Sequence, residues 1–182
     1  MFWCDRPGGD DERTFLIEEG RHHSYGDVFR AGDVLFADVP RSVVVILCDR
    51  SVATVAAYFG ALRRGVVPLL LDGRIKRRAL NGALDAYAPL HVLGDADTAP
   101  DGYVPVGAIA AKILYRRIQS VDHPMHDELA LLIPTSGSTG DPKCVRLAAR
   151  NIESCTRSIV EYLAMTPERV TSSLLPFHYS YG

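Results

Sequence analysis

Nothing in this 182-residue chain approaches the ~20 consecutive apolar residues that a membrane-crossing helix needs. The opening Met1-Phe2-Trp3-Cys4-Asp5-Arg6 lacks the basic segment followed by an apolar one that marks a secretory leader, so a cytoplasmic protein with no membrane partner is expected. No sign of charge dominates. Lys and Arg number 20 against 22 Asp and Glu, a net charge of -2 with acids and bases intermixed, which leaves no basic footprint for nucleic acid. Cysteine is confined to Cys4, Cys48, Cys144 and Cys155 with no C-x-x-C pair, so reduced thiols are expected. His123 and His126 have the spacing of a helical metal pair, but Pro124 between them disfavours that helix, and no metal site is expected. No internal repeat or low-complexity tract is visible.

What the chain does carry is an alternation of strand and helix patterns. Thr14–Ile17 reads as a strand bounded by Gly20. Ser24 caps a helix from Tyr25 to about Val39, whose stripe of Val28, Phe29, Val34, Leu35 and Phe36 is interrupted by Gly32. Val43–Leu47 is the unbroken apolar run of a strand covered on both faces. Ser51 caps a helix through Leu62 that Gly65 ends, and Val66–Leu71 gives a second buried strand. A basic helix over Arg74–Tyr87, a strand at His91–Leu93, a strand at Leu129–Ile133, a helix over Ile152–Leu163 and a strand at Val170–Leu174 follow. Gly94–Tyr103 reads as an exposed connection, and Lys112–Pro124 shows no clean period. Strands separated by helices imply crossover units: an α/β fold, with a mostly parallel sheet flanked by helices.

The segment between Leu132 and Lys143 carries the chemistry. Thr135, Ser136, Ser138 and Thr139 supply four hydroxyls, Gly137 and Gly140 two flexible backbone positions, and Lys143 a cation, directly after the apolar run Leu129–Ile133. Such a loop can converge amide N–H groups, hydroxyls and charge on a polyphosphate, although surface loops share this composition. The kinase-type pattern G-x-x-x-x-G-K-[ST] does not fit, because Pro142 stands five residues after Gly137 and Cys144 follows the lysine. Lys143 could lower the pKa of the adjacent Cys144; a half-buried filler thiol is the alternative.

The same residues resemble the signature of the adenylate-forming ligases, the superfamily of AMP-forming acyl-CoA synthetases, peptide-synthetase adenylation domains and luciferases. Their phosphate motif T-S-G-S-T-G-x-P-K is present without substitution from Thr135 to Lys143, and Val145, Leu147 and Asn151 match its V-x-L-x-x-x-N tail leading into a helix. Tyr25-Gly26-Asp27, the stretch from Ala57 to Asp72, and Leu174-Leu175-Pro176-Phe177-His178-Tyr179-Ser180-Tyr181-Gly182 look like further family elements, the last one lining the acyl pocket. Little likeness is carried by the first dozen residues and by Asp95 to Asp127.

The resemblance implies an ATP-dependent enzyme that activates a carboxylic acid as an acyl-adenylate with loss of pyrophosphate, assisted by Mg2+. The acyl group would then pass to coenzyme A or to the phosphopantetheine thiol of a carrier protein. Thr135, Ser136, Gly137, Ser138, Thr139 and Gly140 are implied phosphate contacts. Lys143 is implied as their charge partner, unless it lies against a surface carboxylate. Tyr179 stands three positions after the motif's proline, where the family commonly places a histidine or aromatic gate, and His178 comes one position earlier; packing of both rings in the core is the other reading. The family's ribose-binding aspartate, adenine-binding turn, magnesium glutamate and lid lysine have no counterpart in the sequence, so no catalytic residue is assigned. Residues 1–182 are therefore expected to be the N-terminal part of an AMP-binding domain, inactive alone, with bared apolar surface that favours self-association. A non-catalytic nucleotide-binding or assembly module that retains the phosphate loop is the alternative.

Overall fold

The computed structural model describes Trp3 and residues 11–119, 124–135 and 143–179. An antiparallel hairpin of β1 (Thr14–Glu18) and β2 (Arg21–Ser24) leads directly into α1 (Tyr25–Leu35). Ser24 ends the hairpin and caps the helix, its hydroxyl accepting the Asp27 amide at 3.1 Å. Then come β3 (Val43–Cys48), α2 (Val52–Arg63), β4 (Val67–Asp72), α3 (Arg77–Tyr87) and β5 (His91–Gly94). They are followed by β6 (Tyr103–Ile109), β7 (Lys112–Arg117), β8 (Leu129–Pro134), β9 (Cys144–Ala148) and α4 (Ala149–Tyr162).

Seven strands form one sheet in the order β6-β7-β5-β3-β4-β8-β9. Its centre is parallel: β3 pairs with β4 from Val43↔Val67 to Cys48↔Asp72, β3 with β5, and β4 with β8 at Leu69↔Leu132. The expected flanked α/β sheet is therefore present, and both of its edges are antiparallel hairpins. Connection length explains the edges. β6 and β7 are joined only by Ala110 and Ala111, Ala110 at φ 49, and so short a link cannot make a parallel crossover.

Two apolar layers sandwich the sheet. On one face Val44, Ile46, Leu70, Leu93 and Leu114 pack with Phe36, Ala57 and Ala61 of the α1–α2 layer and with the partly buried Ile152 of α4. On the other, Val45, Leu47, Leu69, Leu71 and Val92 pack under Leu80, Ala83 and Leu84 of α3. Alternate residues of β3 thus face opposite layers, and both are covered, which is why that strand reads as an unbroken apolar run.

Several sequence expectations change. No strand forms at Val170–Leu174; Val170 is 81% exposed, Leu174 77%, and β-propensity cannot make a strand without a partner among the described residues. α1 stops at Leu35 instead of Val39, because the Ala37 and Val39 amides turn back only three residues, to the Val34 and Phe36 carbonyls, and the α-helical ladder ends. α3 begins at Arg77, three residues late, since Asp72 holds the preceding residues in a turn through the Arg74 amide. The unpatterned stretch from Lys112 contains β7, and strand β9 precedes the helix expected after the signature.

Candidate active site

The C-terminal ends of β5, β3, β4 and β8 lie side by side, the position at which open α/β sheets bind ligands. Each of the first three strands delivers an aspartate there: Asp95 follows β5, Asp49 follows β3, and Asp72 ends β4. β8 delivers Thr135. From the pairing Leu69↔Leu132, three residues further on each strand bring Asp72 level with Thr135.

β8 and β9 are antiparallel and meet at Pro134↔Cys144. Beyond that pair the Thr135 amide donates to the Lys143 carbonyl at 2.9 Å, and the Thr135 hydroxyl donates to the same oxygen at 3.1 Å. Thr135 and Lys143 thus close the neck of a hairpin whose loop carries Ser136, Gly137, Ser138, Thr139 and Gly140. Those five residues lie outside the described residues, as do Asp141 and Pro142. The neck itself lies at the crest of the sheet, and Lys143 is exposed. Asn151 acts locally, its Oδ1 accepting the Ala148 amide at 2.9 Å to start α4.

Behind the neck, a groove of about 960 Å³ passes Lys143, Cys144, Tyr87, Met125, Leu132 and Arg146. Burial raises the Cys144 thiol above its usual value, against a weaker lowering contact from Tyr87, so Lys143 does not activate it. Burial, then Cys144, likewise pushes the Tyr87 phenol up to about 12. The thiol is a packing group.

Sequence reading missed the cation of the crest. Lys112, at the start of β7, has a side chain 3% exposed, and its ammonium lies 2.9 Å from Asp49 Oδ2 and 3.4 Å from Asp95 Oδ1. It also donates to the Leu47 carbonyl at 3.2 Å. Burial alone would raise the Asp49 carboxyl, but hydrogen bonds from Ser51, Thr54 and Lys112 outweigh it and hold the group at about 2. Asp49 in turn fixes the start of α2. No motif signals Lys112; only its neighbours on β3 and β5 make it legible.

His178 and Tyr179 separate in the structure. Phe177 packs against the core, the His178 side chain is 14% exposed with Nε2 4.0 Å from Asp72 Oδ2, and Tyr179 points outward at 58% exposure. His126, whose partner in the spacing argument lies outside the described residues, accepts the Glu128 amide through Nδ1 at 3.2 Å.

Residues 6–182 match the AMP-binding enzyme family, and the chain belongs to it. It is 30% identical to 4-coumarate--CoA ligase-like 9 of Oryza sativa subsp. japonica over 94% of its own length and 36% of that protein. It is also 30% identical to the PKS-NRPS hybrid synthetase psoA of Aspergillus fumigatus, over 92% of its length and 4% of that protein. Its fold resembles MatB from Rhodopseudomonas palustris with a TM-score of 0.74 at 22% identity, covering 99% of this chain and 40% of MatB. The chain thus spans well under half of each.

Proposed function

We propose that this chain supplies the phosphate-gripping part of a site that activates a carboxylic acid with ATP. An oxygen of the carboxylate attacks the α-phosphorus, the bond from that phosphorus to the bridging oxygen of the β-phosphate breaks, and pyrophosphate leaves with the electron pair. Bringing an anion to a polyanion makes charge neutralisation and alignment the main requirements. The observation that supports the reading is the Thr135–Lys143 neck at the sheet crest, from whose two ends the signature segment departs and returns, with Lys143 exposed.

Ser136, Gly137, Ser138, Thr139 and Gly140 would hold the β- and γ-phosphates by hydroxyl and amide donation, and Lys143 would balance their charge. Mg2+, when bound, neutralises phosphate charge. Among the described residues no cluster of three or more His, Cys, Asp or Glu side chains could hold it, and the family's magnesium glutamate has no counterpart in the sequence. By likeness to the family, the substrate would be a carboxylic acid and the acceptor thiol that of coenzyme A or a carrier-protein phosphopantetheine. Residues 1–182 would be the N-terminal part of the AMP-binding domain, with adenine, ribose and lid elements supplied beyond them.

Titrating ATP and pyrophosphate into the chain, and into a variant with Ser136, Ser138 and Thr139 changed to alanine, tests the grip. A loss of tenfold or more in affinity for both ligands is expected, and equal affinity overturns the reading. Carboxylate-dependent exchange of labelled pyrophosphate into ATP by the 182-residue chain alone would overturn the proposed division of labour. A pyrophosphate-release screen over a carboxylic-acid panel, with a polypeptide containing this chain and the family's lid lysine, identifies the acid.

A further inference from the structure

Asp72 has one carboxylate oxygen committed and one available. Oδ1 accepts the Arg74 amide at 2.9 Å. The turn is pinned beneath it, since the Gly73 amide donates to the Cys48 carbonyl at 2.8 Å and a Cβ on Gly73 would stand 2.7 Å from that same oxygen. The Arg74 contact orients the carboxylate, and its Oδ2 faces His178, whose Nε2 lies 4.0 Å away, beyond a direct hydrogen bond but near enough for the negative charge to favour a proton on that nitrogen.

His178 is presented from the other side by a turn of its own. Phe177 is anchored against the core, and the Tyr179 amide donates to the Pro176 carbonyl at 3.0 Å. The Tyr179 ring then covers the imidazole at 4.9 Å between centroids. His178 Nδ1 is buried and has no hydrogen-bond partner among the described residues. At the other nitrogen the ring faces Asp72. A buried polar ring with one nitrogen unsatisfied stays inward only if the other side compensates.

We propose that Asp72 is the positioning residue for His178: its free oxygen holds the imidazole inward at the crest, as the Nε2–H tautomer, and leaves Tyr179 as the outward member of the pair. The inference rests on the function proposed above for its significance, because Asp72 is level with Thr135, the residue from which the signature segment departs. It differs from the family expectation, in which the position of Tyr179 supplies the gate. The geometry itself is independent of catalysis.

The test reads the tautomer. In the 15N-labelled chain, long-range proton–nitrogen correlations at a pH where the ring is neutral should show His178 with its proton on Nε2. In Asp72→Asn the Arg74 amide retains the carbonyl oxygen, so the side-chain NH2 faces the ring as a donor, and the proton should move to Nδ1. Tyr179→Ala should leave the tautomer unchanged. One and the same tautomer ratio in the wild type, Asp72→Asn and Asp72→Ala overturns the proposal. Should Asp72→Asn fail to fold, the wild-type chain answers alone: a neutral ring with its proton on Nε2 supports the hold, and one with its proton on Nδ1 overturns it. ATP titration of the same samples separates the two ideas. Tautomer inversion without ATP binding sustains the positioning while removing the functional reading.

Discussion

Gly32 of α1 and Gly60 of α2 touch backbone to backbone. A Cβ on Gly32 would lie 2.1 Å from the Ala56 carbonyl oxygen and 2.9 Å from Gly60 Cα, while one on Gly60 would lie 2.4 Å from the Gly32 carbonyl. Neither glycine is needed for a left-handed turn; both exist so that the two helices can cross without side chains between them. Gly32→Ala and Gly60→Ala should each destabilise by about 1–3 kcal/mol, because the helices must separate and the gain of ~1 kcal/mol in helix propensity cannot compensate. The double variant should cost less than the sum, since one separation relieves both clashes. Gly82→Ala on α3 is the control: its Cβ would meet nothing within 4 Å, and stability should rise by about 0.5–1 kcal/mol. Urea midpoints at unchanged slope give all four values.

His91 makes stability depend on acid. It is buried on β5 between Val44 and Arg116, and its Nδ1 lacks a hydrogen-bond partner among the described residues. Burial, reinforced by Arg116, lowers its pKa from 6.5 to about 4. The unfolded chain therefore binds the extra proton first as pH falls. Stability is full above pH 6.5 and is lost between 6.5 and 4, by on the order of 3 kcal/mol in total. His91→Phe should flatten urea stability across that window. A slope that survives the substitution would place the proton elsewhere.

How much of this could be read in advance depends on where neighbours sit in the chain. β3, α2 and β4 declare themselves because each has its core face, cap or terminator within a few residues: Val43–Leu47, Ser51 and Gly65. The signature from Thr135 to Lys143 was legible for the same reason, as local order encodes local chemistry. β7 was not, because its partners β5 and β6 cover it on both sides and a buried cation at Lys112 breaks the apolar pattern. Val170–Leu174 failed in the opposite way: the residues suit a strand, and no neighbouring strand among the described residues accepts them. Asp72 stood in a recognised family stretch, yet its relation to His178 is a contact across more than a hundred residues.

Lys112→Met removes the ammonium from a site where two carboxylates converge on it. Asp49 and Asp95 remain partly in water, at 47% and 56% side-chain exposure, so the cost should fall below the ~3–5 kcal/mol of a fully buried broken pair, at about 2 kcal/mol. The direction of a second effect is firmer. Asp49 loses one of the hydrogen bonds opposing its burial, so its carboxyl should titrate above its present value of about 2. The stability that Asp49 contributes above its ordinary pKa of 3.8, and loses as pH falls toward 2, should shrink accordingly. Carbon-detected titration of the Asp49 carboxylate measures the shift. An unmoved midpoint would show that Ser51 and Thr54 alone set it.

Arg41 ties the far end of β8 to the neighbouring strand. Its Nη1 donates to the Gly65 carbonyl at 2.9 Å, and its Nη2 reaches the carbonyls of His126, Asp127 and Leu129 at 3.0, 2.9 and 2.9 Å. A planar fork can serve oxygens on two chain segments at once, whereas a lysine presents a single point charge. Arg41→Lys should therefore keep the charge and lose the bridge. Hydrogen exchange is expected to accelerate at the amides of residues 126–130, where β8 begins, while those of β3 and β4 keep their protection. The same change should not alter exchange at Thr135, whose amide is held by Lys143 at the opposite end of the strand. Uniform acceleration along β8 would mean that the strand opens as one unit and that Arg41 secures the signature hairpin as well as its approach.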